Sequence, residues 1–143
     1  MNKLMIIAFC LVIAACSVKP EPLQYGVDAC YTCKMTLMDN KFGAELVTQK
    51  GKVYKFDDMN CMLNFYNANY ETQADMAYVL VINYDNPGHF IEAQHAMYAK
   101  SDKIRTPMAS GIAAFEDEVS YDKYNKDWKG FWLSWGEVQT QFK

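Results

Sequence analysis

An α+β fold built from two similar halves is predicted for this chain, on three observations. Two short extended runs flank Lys50-Gly51, and a segment with helical spacing follows them. The stretch "MAYVLVINY", Met76 to Tyr84, is β-branched and aromatic and closes on the turn residues Asp85-Asn86-Pro87-Gly88. The order strand, strand, helix, strand then repeats, although identities between the halves are few.

Taken in order, "FGAELVTQKGKVYKF" from Phe42 gives the first two strands, with Ala44, Leu46 and Thr48 on one face of the first. In "FDDMNCMLNFYNANY", Asp57 or Asp58 caps a helix whose Met59, Met62, Leu63 and Tyr66 fall at i, i+3, i+4 and i+7. In the second half "HFIEAQHAMYAKS" reads as one extended segment with a turn or bulge, and "KIRTP" as a short second strand. "MASGIAAFEDEVSYDKY" is helical in composition, with Ile112, Phe115 and Val119 on one side. "KGFWLSW" is the last strand, and "GEVQTQF" a short closing helix. Both helices would then begin beside sulfur: Met59 and Cys61 in the first half, Met108 in the second.

The N-terminus sets the compartment. Lys3 precedes twelve apolar residues, Leu4 to Ala15, too few to span a bilayer and right for a signal peptide. The run ends Ile13-Ala14-Ala15-Cys16, which resembles a bacterial lipobox in which Cys16 is acylated and becomes the new N-terminus. Acyl chains there hold a protein to a membrane at about 0.8 kcal/mol per buried methylene. Residues 1–15 are thus read as signal peptide, 16–27 as a short flexible tether, and 28–143 as one domain. Loss of Lys3 moves the net charge from −3 to −4, and with no basic block there is no footprint for nucleic acid.

Of five cysteines, Cys10 leaves with the signal and Cys16 is lipidated, so Cys30, Cys33 and Cys61 remain. An odd number in an oxidising compartment implies a thiol that is kept reduced or occupied. "DACYTCKM" places Cys30, Cys33 and Met35 together. Lys34 follows Cys33, which excludes covalent haem attachment by Cys-x-x-Cys-His. Structural zinc wants four ligands, and Cys61, His89 and His95 are not paired at finger spacing. A thioredoxin-like pair, Cys30 with Cys33, is a competing reading, though no strand clearly precedes the motif. The remaining chemistry is capture of Cu(I), which thiolate and thioether select over harder ions. An extended segment would point Cys33 and Met35 to one face, and one distant sulfur would complete the site, with Cys30 a further ligand or a reserve thiol.

Met108, after Thr106-Pro107, either faces an open cleft or caps the second helix as a hydrophobe. Met62, Met76 and Met97 read as core, and Cys61 as a buried small hydrophobe. His89 reads as a loop residue and His95 as a weak ligand candidate, while helix capping accounts for Asp57 and Asp58. No nucleophile elbow, phosphate loop or HExxH motif is present, which argues for binding and transfer rather than turnover.

A lipobox, then "DACYTCKM", "YKFDDMNCML" and "MYAKSDKIRTPMASGIAAFED" in that order resembles the NosL family, lipoprotein accessory factors for nitrous oxide reductase maturation. The resemblance runs over nearly the whole mature chain. It implies two ββαβ halves, a fold likened to the organomercurial lyase MerB. It also implies a non-enzymatic Cu(I) chaperone, membrane-anchored and facing the periplasm, that delivers copper for the reductase's catalytic copper centre. The implied partners are nitrous oxide reductase, its membrane maturation machinery and the lipid bilayer. By position the implied ligands are Cys33, Met35 and Met108, with Cys30 and Cys61 as further candidates. Lys34 departs from the family pattern, where glycine often stands between Cys and Met. Two other functions compete: an extracytoplasmic thiol-disulfide oxidoreductase, and a metal-sequestering lipoprotein without a client.

Overall fold

The computed structural model describes residues 18–142. The signal-peptide and lipidation readings, including Cys10 and Cys16, lie outside the described residues. Strands β1 (Ala44–Thr48) and β2 (Val53–Phe56) lead into helix α1 (Met59–Asn69), followed by β3 (Met76–Ile82) and β4 (Phe90–Glu92). The second half is β5 (Met97–Lys100), β6 (Ile112–Phe115), α2 (Glu118–Trp128), β7 (Phe131–Leu133) and a closing α3 (Trp135–Thr140).

The predicted duplication is present. The first sheet runs β2-β1-β3-β4 and the second β6-β5-β7, with antiparallel neighbours throughout. In each half the first strand is central, the second lies on one side, and the strand after the helix lies on the other. The halves join where Asn83 bridges Ala114 and the Tyr84 N–H donates to the Ala114 carbonyl at 2.8 Å. Helix α1 forms as its spacing requires, with Met59, Met62, Leu63 and Tyr66 buried and Asp58 as N-cap. Gly51, at φ 80°, makes the β1–β2 turn in the left-handed region that glycine enters without strain.

The second half departs from the reading in three places. "HFIEAQHAMYAKS" divides: β4 extends the first sheet, a short 3₁₀ turn (Ala93–His95) follows, and β5 opens the second sheet. "KIRTP" belongs to a loop before Ile112 rather than to a strand. Residues 112–115 form β6 instead of helix, and α2 begins only at Glu118, leaving Val119 80% exposed. All four β6 residues are buried, Ile112 and Ala114 in the main core and Ala113 and Phe115 against α2. A strand buried on both faces shows no alternation in its sequence.

The main core takes one face of the first sheet, the buried stripe of α1, the inner face of the second sheet, and α3. The N-terminal segment packs onto the first half, with the Val18 side chain beside Gly51. Leu23 and Tyr25 lie against the core, and a Cβ on Gly43 would collide with Leu23 Cδ1. Glu21 N–H donates to Oε1 of Glu45 at 3.0 Å, and Glu45, opposite Lys55 across β1–β2, is fully buried.

Burial pushes the Glu45 carboxyl up to about 7, against the opposing pull of the Glu21 N–H and of Lys55. The folded chain therefore binds this proton more tightly than the unfolded chain. The stability it contributes is whole below about pH 4.5 and is lost as pH rises through about 7. Thermal unfolding between pH 5 and 8 should show the wild type losing about 3 kcal/mol from this group. Glu45→Gln should abolish that slope; an unchanged slope would mean that Glu45 is charged in the fold.

Candidate metal centre

Two segments distant in sequence build the site. Residues 28–37 form a loop closed by the Ala29–Thr36 bridge, with Cys30 N–H donating to the Met35 carbonyl at 2.8 Å and Lys34 N–H to the Cys30 carbonyl at 3.0 Å. Lys34 stands at φ 66°, in the left-handed region, so a turn replaces the expected extended Cys33-Lys34-Met35. Glycine would hold this conformation without the roughly 1–2 kcal/mol that an L side chain costs. The Lys34 ammonium lies 4.3 Å from the centre of the Tyr31 ring, a cation–π contact that offsets part of that cost.

The loop is tied to β2 by Tyr31 N–H on the Lys55 carbonyl, 2.8 Å, and to α1 by the Thr32 hydroxyl on the Cys61 carbonyl, 2.9 Å. These bonds set Cys30 and Cys33 against the N-terminal turn of α1, which carries Cys61 and follows directly on Asp57 and Asp58. The ligand atoms of Cys30, Cys33, Cys61 and Asp57 all lie within 4.8 Å of one another. With a metal–sulfur bond of about 2.3 Å, donors on one ion span at most about 4.6 Å, so small side-chain movements would close the set. Cys30 and Cys61 are buried, and only Cys33 is partly open to solvent. No disulfide joins cysteines among the described residues.

The cluster is electrostatically asymmetric. The hydrogen bond from Cys61, then the Cys33 and Asp57 backbone N–H groups, hold the Cys30 thiol down at about 6 despite its burial. Burial first, then the neighbouring Cys30 and Asp57, push Cys33 up to about 11. Its hydrogen bond to Cys30, followed by burial, drives Cys61 far above the usual thiol range. The trio thus gives up one proton readily and keeps two, which a bound cation would displace. Cys33 Sγ donates to Asp57 Oδ2 at 3.3 Å, and the buried Oδ1 has no partner among the described residues.

The sequence reading assigned Asp57 to helix capping; in the structure Asp58 is the cap and Asp57 joins the thiols. Its signal is the pair Phe56-Asp57-Asp58 and Phe115-Glu116-Asp117, which occupy the same strand-to-helix junction in the two halves. In each, the third residue caps the helix and the middle one is left over. Glu116 is exposed and faces His89, whereas the 28–37 loop buries Asp57 among thiols. The four-donor set that sequence spacing denied to zinc is therefore present, assembled from Cys-x-x-Cys and the start of α1.

The methionines take different places in the fold. Met35 is half exposed on the loop. Met108 is not at a helix start: it occupies a turn ahead of β6 and packs half-buried against the core that contains Cys30 and Cys61. Met38 is exposed, Met62 and Met76 are core, and Met97 packs beneath α2. His89 and His95 are surface residues opposite Glu116 and Glu92, outside the cluster.

The NosL family model matches residues 25–142. No curated protein matches the chain. Among solved structures, the chain is similar to the crystal structure of the copper chaperone NosL from Shewanella denitrificans, at 18% identity and a TM-score of 0.70. The match covers 84% of this chain and 95% of that one, and at such low identity it speaks to the shared fold.

Proposed function

The chain belongs to the NosL family, and from that premise we propose that it is a Cu(I)-binding chaperone, held to a membrane facing the periplasm through acylated Cys16, that delivers copper for assembly of the catalytic centre of nitrous oxide reductase. The observation that carries this reading is the convergence of three thiols and one carboxyl within 4.8 Å, with a single thiol open to solvent. Soft donors select Cu(I), and two or three of them suffice. Cys33 is the ligand at the mouth and Met35 and Met108 are the exchangeable thioethers, with Cys30 and Cys61 as reserve thiols behind them. An open, under-coordinated ion can be taken over by a recipient's ligands one at a time. The anchor raises the chaperone's effective concentration beside the maturation machinery.

The same geometry weighs against a thiol-disulfide oxidoreductase. A nucleophilic thiol needs both a lowered pKa and access. Here the acidic thiol, Cys30, is fully buried, while the accessible one, Cys33, is pushed up.

The test is an anaerobic Cu(I) competition titration of the full chain in detergent, with a zinc titration beside it. One tightly held copper per chain, transferable to copper-free reductase, is the expected result. Met108→Ala should weaken Cu(I) binding by about tenfold to a hundredfold, while His95→Ala leaves it unchanged. Weak copper binding with turnover of a disulfide substrate would instead establish the redox reading. Tight zinc with no copper preference would establish sequestration.

A further inference from the structure

Met108 reaches the first half from the second, and its backbone is fixed at both ends by the start of α1. Its N–H donates to Oδ2 of Asp58 at 2.9 Å, and its carbonyl accepts from Nδ2 of Asn60 at 3.0 Å. The same Asp58 oxygen accepts from the Thr106 hydroxyl at 2.7 Å and from Ser110 N–H at 3.3 Å. The chain doubles back here through Ala109 at φ 59°, with Ala109 N–H on the Thr106 carbonyl at 3.2 Å. Asp58 follows Asp57 and Asn60 precedes Cys61, so the two anchors of Met108 flank two of the four clustered donors.

We infer that Asp58 and Asn60 are positioning residues that hold the Met108 turn against the thiol cluster, making its thioether a preorganised ligand supplied by the second half. This rests on the copper reading above. The clamp grips only main-chain atoms, so the Met108 side chain stays free to leave an ion when a recipient ligand arrives. Outer groups that orient a metal ligand are typically worth about tenfold to a hundredfold in affinity. Asn60 is the residue to test, because alanine favours the helix there and the fold keeps its Asp58 cap.

The experiment is a double-mutant cycle on the full chain, reading Cu(I) affinity by chelator competition and the sulfur count around copper by X-ray absorption. Asn60→Ala should weaken Cu(I) by about tenfold and lower the sulfur count. In a Met108→Ala background the same substitution should change neither. An equal loss in both backgrounds, or no loss in either, overturns the inference while Met108 remains a ligand. If Met108→Ala alone leaves affinity unchanged, the ligand set itself is wrong, and the positioning role falls with it.

Discussion

Cys33→Ser is expected to lower Cu(I) affinity by at least about a thousandfold, roughly 4 kcal/mol, with little effect on the fold. The substitution is nearly isosteric, and a serine hydroxyl can still donate to Asp57 Oδ2, as the thiol does at 3.3 Å. What changes is softness: an alcohol is a hard, neutral donor that Cu(I) does not select. Cys33 also belongs to both donor groups, the Cys-x-x-Cys-x-Met hook and the cluster with Cys30, Cys61 and Asp57. Losing it therefore breaks the route between the mouth and the buried sulfurs. Cys30→Ser and Cys61→Ser, at buried positions packed in the main core, should cost stability as well. Chelator competition at fixed pH, with circular dichroism on the same samples, separates the two effects. A Cys33→Ser chain that keeps wild-type copper affinity would remove this thiol from the ligand set and sink the transfer mechanism built on it.

The elements legible in the sequence are those whose burial is one-sided or whose ends carry local chemistry. Helix α1 announced itself through its spaced apolar residues and its aspartate cap, and the β1–β2 turn through Gly51. β6 did not, because "IAAF" is buried on both faces and its residues are small, a composition shared with helices. Pairing with β5, Lys100 against Ile112 through Met97 against Phe115, settles the matter, and no local pattern encodes it. The site divides in the same way. The Cys30-Cys33-Met35 hook is contiguous and could be read directly. Cys61 looked like one more apolar residue on a helix face, and Asp57 like a spare cap. Only the packing of the 28–37 loop on the start of α1 brings them together, through bonds such as Thr32 to the Cys61 carbonyl. Lys34 adds a further case: its left-handed backbone, φ 66°, is one that a lysine does not announce in the sequence.

Asp58→Ala is the substitution expected to cost the fold most, about 3–4 kcal/mol, and Asp117→Ala is its internal control. The two aspartates cap α1 and α2, helices of equal length at equivalent places in the two halves. Asp117 is exposed and, among the described residues, its carboxylate accepts only from Ser120 N–H, 2.8 Å, so its removal should cost about 1 kcal/mol, the usual value of an N-cap. Asp58 is 1% exposed. Besides Asn60 N–H it receives the Thr106 hydroxyl and the N–H groups of Met108 and Ser110, all from the other half. Alanine leaves those cross-half donors facing an apolar gap, and each orphaned buried donor costs about 1–3 kcal/mol where water cannot reach it. Partial hydration of the Met108 turn, which is only half-buried, brings the sum down to the range given. For a domain of this size the loss corresponds to a fall in Tm of roughly 10 °C, against a few degrees for Asp117→Ala. The difference between the two measures the junction between the halves rather than helix capping. Equal shifts would mean that the halves stand together without this carboxylate, and that the Met108 turn is held by Asn60 alone.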